Sequence, residues 1–237
     1  MSDYASPAEQ RRLLAKVDIL EGLTPEEVER LALLSASVNL GAGETFALVD
    51  EDCRTLLLLA SGRARVHEPH AAGPDLTISM VKDRTVVAQT GFAARPSHAV
   101  VVEALEPSVL RILEWEDLED LVLRKPEVGV KIIRLLSERL ASCEGRLSDL
   151  IRKEVPARLA GLVLDLSEYQ GVLTVDGSRR IPTRYTHRQL AGMVGSNREA
   201  LTRAFGRLRQ AGAVEVRDRH IYVTDADALE RFAEVER

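Results

Sequence analysis

Residues 185–216, YTHRQLAGMVGSNREALTRAFGRLRQAGAVEV, restrict the fold more than any other stretch, because two helix starts follow one another with room for only a tight turn between them. Thr186 is placed to cap a helix whose third position is Gln189, and Leu190, Ala191 and Val194 supply its apolar face. Gly195 suits the left-handed residue at which that helix stops, and Ser196 or Asn197 caps the next one at once. At about 100° per residue, Leu201, Ala204, Phe205 and Leu208 share one face of the second helix. Glu199, Thr202, Arg203, Gly206 and Gln210 share the opposite face, with Arg198 at its edge near the N-terminus. Downstream, Ala213–Val216 and His220–Thr224 read as a β-hairpin carrying Arg217 and Arg219 at its tip.

Two helices joined by a glycine turn and followed by a hairpin form a winged helix-turn-helix, whose second helix enters the DNA major groove by its N-terminal half. Arg198 and Arg203 match the O6/N7 edge of guanine and Glu199 matches the amino group of cytosine, while hairpin arginines suit phosphate. A local alternative stands beside this. Glu199 is also the fourth residue of an S-x-x-E capping box begun at Ser196, and Arg203 is its i+4 ion-pair partner on a solvated face.

Charge favours the DNA reading. The chain of 237 residues has a net charge of −5, yet from Arg179 to His220 ten arginines face only Glu199, Glu215 and Asp218, so this segment carries +7 and the remainder −12. A basic C-terminal module on an acidic body fits phosphate binding confined to one part of the chain.

Upstream the hydrophobic period changes twice. Residues 8–34 read as helical, with Leu13, Leu14, Val17 and Leu20 at helical spacing and Thr24, Pro25 and Glu27 as N-cap, N1 and N3. From Val38 to about Ile112, short β-rich runs (TLLLLA, RARVHE, LTISMV, HAVVVEAL, SVLRIL) alternate with turn signals, as in a β-sandwich or roll. Helical pattern returns at Asp117, and Ile133, Leu136, Leu140, Cys143, Leu147 and Leu150 step 3, 4, 3, 4, 3 along a stripe flanked by charge. Such a stripe can be a long helix packed on its own domain; its narrowness between charged flanks favours the a/d seam of a two-stranded coiled coil with the same helix of a second subunit. The fold expected is α+β: an N-terminal helix and β-roll over 1–116, a dimerisation helix over 117–154 and a winged helix-turn-helix over 155–237.

These residues resemble the CRP/FNR family of bacterial transcription regulators, most closely from Thr186 to Val216. ILEGLTPEEVERLA, LGAGETFALVDED and SGRARV are similar to the first helix and early strands of its cyclic-nucleotide-binding-type β-roll (jelly roll), and the leucine seam to its dimerisation helix. The resemblance implies that Arg198, Glu199 and Arg203 read bases and that Thr186, Arg188 and Ser196 meet phosphates. With Asn197, Thr202, Arg217 and Arg219 they make up the candidate DNA-binding set. The partners implied are double-stranded DNA, RNA polymerase and a second copy of the chain, with activation as the family's commoner mode.

Members of the family that bind nucleotide hold it with a Gly-Glu pair and, about ten residues on, an Arg-Ser pair, because ribose needs an acceptor and a buried phosphate a cation. In register this chain has Val87-Ala88 and His98-Ala99, and at the dimer-helix position facing the base, Cys143 followed by Glu144. Ala88 offers no side-chain acceptor and His98 no guanidinium fork. Cyclic AMP is therefore not expected at the usual place. Ala88, His98, Ala99, Cys143 and Glu144 form a degenerate effector pocket, and the alternative left open is a ligand-gated regulator with that pocket rebuilt for another small effector.

Other function classes fit poorly. Cys53 and Cys143 are too few for a disulfide scaffold, an iron-sulfur cluster or an all-cysteine zinc site. His67, His70 or His98 with Cys53 would have to be assembled into a haem site, and His67-Glu-Pro-His70 reads more simply as a turn with two surface histidines. Of five histidines, His187 and His220 fall in the helix-turn-helix module, so no metal-dependent catalytic set is in view and no cofactor is implied. No apolar run approaches the roughly 18 residues of a membrane span, and the N-terminus lacks an apolar signal core, which points to a cytoplasmic protein.

Overall fold

The structure, a computed structural model, describes residues 7–48, 55–70, 75–89 and 100–235. The chain divides into two compact units, one made of Met1–Pro69 with Ile78–Arg139 and the other of His70–Thr77 with Leu140–Arg237.

The first unit is built around strand β3 (Thr55–Ser61), whose TLLLLA run is buried on both faces. A strand with no polar alternation must lie between two layers. Leu57 and Leu59 point into one core and Leu56 and Leu58 into another. The first core lies between two four-stranded antiparallel sheets. One has the order β1 (Ala36–Leu40), β8 (Ser108–Glu114), β3, β6 (Thr85–Gln89). The other has the order β2 (Thr45–Leu48), β7 (Val100–Ala104), β4 (Arg63–Glu68), β5 (Leu76–Lys82). The second core packs β3 and β8 against Leu14, Val17, Ile19, Leu20, Val28 and Leu31, then against Leu118 and Leu121 of α3 (Trp115–Arg124) and Val128 of α4 (Pro126–Arg152). The expected double-sheet roll is thus present, with a helical layer on one face.

The N-terminal helical segment is not continuous. Helix α1 (Pro7–Leu14) stops, a 3₁₀ turn covers Asp18–Leu20, and α2 (Pro25–Leu34) starts afresh. The break has a distant cause: the Asp18 N–H donates to the Arg84 carbonyl at 2.8 Å, which helical pairing would forbid, and Asp18 Oδ2 accepts from Thr85 Oγ1. Helix α2 begins as read, with Thr24 accepting from the Glu27 N–H and Glu27 from the Thr24 N–H. Its far end is closed by Arg111 of β8, 2% exposed, which donates to the Ala32 carbonyl at 2.6 Å and to the Ser35 carbonyl and hydroxyl. Burial pulls the Arg111 pKa down, and the helix-end carbonyls supply the partial negative charge that keeps the buried cation in place. Arg65 and Glu103, opposite one another on β4 and β7, form a second sequestered pair at 2.6 Å.

In the second unit, α5 (Val155–Gln170) is the central helix. Its Leu159, Val163 and Leu166 pack with α6 (His187–Met193), α7 (Arg198–Gln210), α8 (Ala226–Ala233) and the strand residues Ile221 and Val223. A small sheet of order β11 (Val214–Arg217), β12 (His220–Val223), β10 (Arg179–Arg180), β9 (Val172–Leu173) closes it. The hairpin expected over 213–224 is the β11–β12 pair. The two-residue strands β9 and β10 carry no hydrophobic alternation and leave no sequence signal.

Helix α4 carries two apolar stripes. Val128, Ile132 and Leu135 pack into the first unit's helical core. Ile133, Leu140 and Leu147 are 60–65% exposed, and Leu136, Leu150 and Cys143 are exposed with them.

Candidate nucleic-acid interface

Local capping positions the two helices of the motif. Thr186 Oγ1 accepts from the Gln189 N–H at 3.2 Å, and Gln189 Oε1 accepts from the Thr186 N–H at 2.9 Å. The chain leaves α6 through Gly195 at φ +60°, and the Ser196 N–H donates to the Ala191 carbonyl. Two constraints meet at Gly195: the left-handed backbone, and a Leu150 methyl that would lie 2.7 Å from any Cβ. Asn197 then caps α7, its Oδ1 accepting from the Ala200 N–H at 2.8 Å. Replacing Thr186 by Ala removes the hydroxyl that accepts from the Gln189 N–H, while the backbone N–H that donates to Gln189 Oε1 remains. Thermal melting of the purified protein is expected to show a loss of about 1 kcal/mol, with DNA selectivity retained.

The choice of Asn197 as cap decides between the two local readings of Glu199. With Asn197 at N-cap, Glu199 stands at N2 and Ala200 at N3, so the S-x-x-E box does not form. Glu199 also makes no ion pair with Arg203, and among the described residues no carboxylate pairs with Arg198, Arg203 or Arg219. Arg198, Glu199 and Arg203 are exposed, while Leu201, Ala204, Phe205 and Leu208 on the other side of α7 are at most 4% exposed. The helix is therefore rigidly seated, and it presents an unspent acidic group between two unspent guanidinium groups.

Other candidate residues have structural partners. Thr202 Oγ1 donates to the Arg198 carbonyl at 2.8 Å and lies 3.0 Å from His187 Nδ1, which must then carry the ring proton. The same imidazole rests on Phe205, ring centroids 5.6 Å apart, so His187 joins α6 to α7. Arg188 reaches Asp75 at 3.3 Å. Ser196 is half-buried in the turn.

At the wing, Arg217 lies 2.6 Å from Asp176 and 2.7 Å from Glu215, and its guanidinium sits 4.8 Å from the Tyr222 ring centroid. The Arg217 bond holds the Asp176 carboxyl well below the usual carboxylate range, helped by Thr174 and Ser178. Asp176 and Glu215 push the Arg217 pKa upward in turn. Arg217 thus braces the wing against the β9–β10 turn. Asp218 and Arg219 follow at φ +50° and +65°, the paired left-handed geometry of a two-residue hairpin turn, and this leaves Arg219 exposed at the tip.

Of the expected effector-pocket residues, Ala88 lies on β6 with its backbone opposite Leu57, and Cys143 and Glu144 are exposed on α4, Cys143 with Arg146 Nη2 at 3.7 Å. His98, Ala99 and Cys53 lie outside the described residues. His67 is buried on β4, not at a surface turn as the spacing suggested, because β4 is covered on both faces. His70 is exposed. Among the described residues no group of three or more His, Cys, Asp or Glu is arranged to share a metal ion, and no helix is long and apolar enough to cross a membrane.

The comparisons agree with this geometry. Residues 157–232 match the Crp-like helix-turn-helix domain. Along most of its length the chain is 27% identical to the cyclic AMP receptor protein of Thermus thermophilus, over 91% of this chain and 96% of that one. It is 22% identical to the CRP-like cAMP-activated global transcriptional regulator of Mycobacterium tuberculosis, over 93% and 98%. The fold is shared with the c-di-GMP responsive global regulator CLP of Xanthomonas campestris, with a TM-score of 0.71 at 19% identity over 85% of this chain and all of that one. These relatives are DNA-binding transcription regulators rather than enzymes. Residues 157–232 thus form a Crp-like helix-turn-helix domain, and along most of its length the chain is similar to the CRP/FNR family of transcription regulators.

Proposed function

We propose that this protein is a homodimeric activator that binds a palindromic promoter site through two copies of α7, assists RNA polymerase there, and does so without cyclic AMP. The observation that carries the reading is the outward face of α7, where Arg198, Glu199 and Arg203 are exposed on a firmly packed helix and spent on neither caps nor ion pairs. Arg219 at the wing tip supplies a phosphate contact in this reading, and Thr186, Arg188, Ser196 and Asn197 border the same groove-facing end. Arg217 and Thr202 act there by holding the wing and the helix pair in shape.

Dimerisation is assigned to the exposed stripe of α4, since a subunit with five large aliphatic side chains in line on one helix face has an unfilled a/d seam. Two seams related by a dyad place two α7 helices on successive major grooves, about 34 Å apart. The carrying names among the relatives, cAMP-activated and c-di-GMP responsive, support a second reading in which a small effector gates this chain as well. The residues argue for independence of cyclic AMP: alanine at position 88 leaves β6 without the carboxylate a ribose hydroxyl needs.

The test is the affinity of the purified, nucleotide-free protein for a TGTGA-type palindrome at fixed salt, with and without cyclic AMP. Tight, selective binding that ignores the nucleotide is the expected result. Binding that appears only when cyclic AMP is added overturns independence and restores the gated reading.

A further inference from the structure

Resting on the dimeric DNA-binding reading above, we infer that Arg158 is a positioning residue that sets the angle between the dimerisation helix and the DNA-reading helix, and hence the half-site spacing the dimer accepts. Arg158 stands in the first turn of α5 and its guanidinium gathers carbonyls from two different helix ends. Nη1 donates to the Lys153 carbonyl at 2.9 Å and to the Leu150 carbonyl at 3.3 Å, both at the C-terminal end of α4. Nε donates to the Val194 carbonyl at 2.9 Å and Nη2 to the Gly195 carbonyl at 3.4 Å, at the end of α6 and in the turn that launches α7.

The chemistry favours this arrangement. The last carbonyls of a helix have no N–H of their own helix to accept from, and they carry the negative end of its dipole. A single guanidinium, with donors fixed in one plane, satisfies two such ends at once and so ties their relative orientation to its own geometry. Two weaker contacts repeat the link at the same junction: Leu150 packs against Gly195, and Arg207 of α7 lies 3.9 Å from Glu154 between α4 and α5. None of these groups belongs to the face that reads bases, so their effect on DNA binding would come through geometry alone.

That distinction gives the test. Binding is measured for native protein, Arg158→Ala and Arg158→Lys on three DNAs: an isolated half-site, a palindrome with native spacing, and palindromes whose half-sites are moved apart by single base pairs. The native protein is expected to prefer one spacing sharply. Both variants are expected to keep half-site affinity, while the gain from pairing two half-sites falls by about tenfold or more and the preferred spacing broadens, because a loosened junction lowers the effective concentration of the second reading helix. Lys is expected to rescue little, since an ammonium cannot span four carbonyls in a plane. A fall in half-site affinity equal to the fall on the palindrome would show that Arg158 only stabilises the domain, and an unchanged spacing profile would likewise overturn the assignment. If native protein gains nothing from a paired site, the dimeric reading itself fails and the Arg158 assignment fails with it.

Discussion

Arg203→Ala is expected to weaken binding to the preferred palindrome by about 1–3 kcal/mol per half-site, about 5- to 150-fold, and to relax selectivity at the base it faces. Glu199→Ala should act differently. A carboxylate near a phosphate backbone repels it, so removing Glu199 relieves that repulsion everywhere while deleting one acceptor from cytosine; binding to unrelated DNA should rise slightly and binding to the preferred site should fall. The two variants together therefore compress the ratio of specific to non-specific affinity from both sides. Neither touches the protein's own stability much, because both side chains are exposed and engage no cap or ion pair. Binding isotherms on the preferred site and on scrambled DNA at the same salt concentration check this. Undiminished affinity and selectivity in both variants would show that α7 is not the reading helix.

That face of α7 was legible in the sequence because helix geometry alone decides which residues share it. Leu201, Ala204, Phe205 and Leu208 are buried and Glu199 and Arg203 exposed, as the 3.6-residue period requires. The caps of α2 and α6 were legible for a similar reason, since each is closed by residues three apart. What sequence could not rank was Ser196 against Asn197, two equally good caps one residue apart; the outcome moved Glu199 from a capping position to an unspent one.

The unread features share a different cause. Asp18 breaks the N-terminal helix by pairing with a carbonyl contributed by Arg84, and Arg111 and Arg158 close helix ends that lie far from them or beyond their own helix. Arg217, taken from sequence as a phosphate contact, is drawn to Asp176 across the small sheet. In each case a backbone N–H or an arginine side chain meets a carbonyl or carboxylate supplied by tertiary structure, and no local pattern announces it. An arginine at an inward strand position, such as Arg111 within SVLRIL, is the one trace such a group leaves.

Leu140→Glu should abolish the dimer while sparing the subunit. Leu140 is 61% exposed within one chain, so the substitution removes little packing from the fold and is expected to shift the melting temperature of the dilute protein only slightly. In a two-stranded seam the same position faces its symmetry mate, and the variant would bring two carboxylates together in a desolvated contact with no cation built to meet them. Sedimentation should show native protein as a dimer and the variant as a monomer. Palindrome affinity should fall by about 10² or more, since the second half-site is no longer bound at high effective concentration, while affinity for an isolated half-site stays as it was. A contrasting substitution on the inner stripe separates the two faces of α4: Ile132→Ala takes contact from the helical core, where Ile132 packs, and should lower the subunit's melting temperature without dissociating the dimer. If Leu140→Glu remains dimeric, the seam lies elsewhere, and the exposed leucines of α4 would need another partner to bury them.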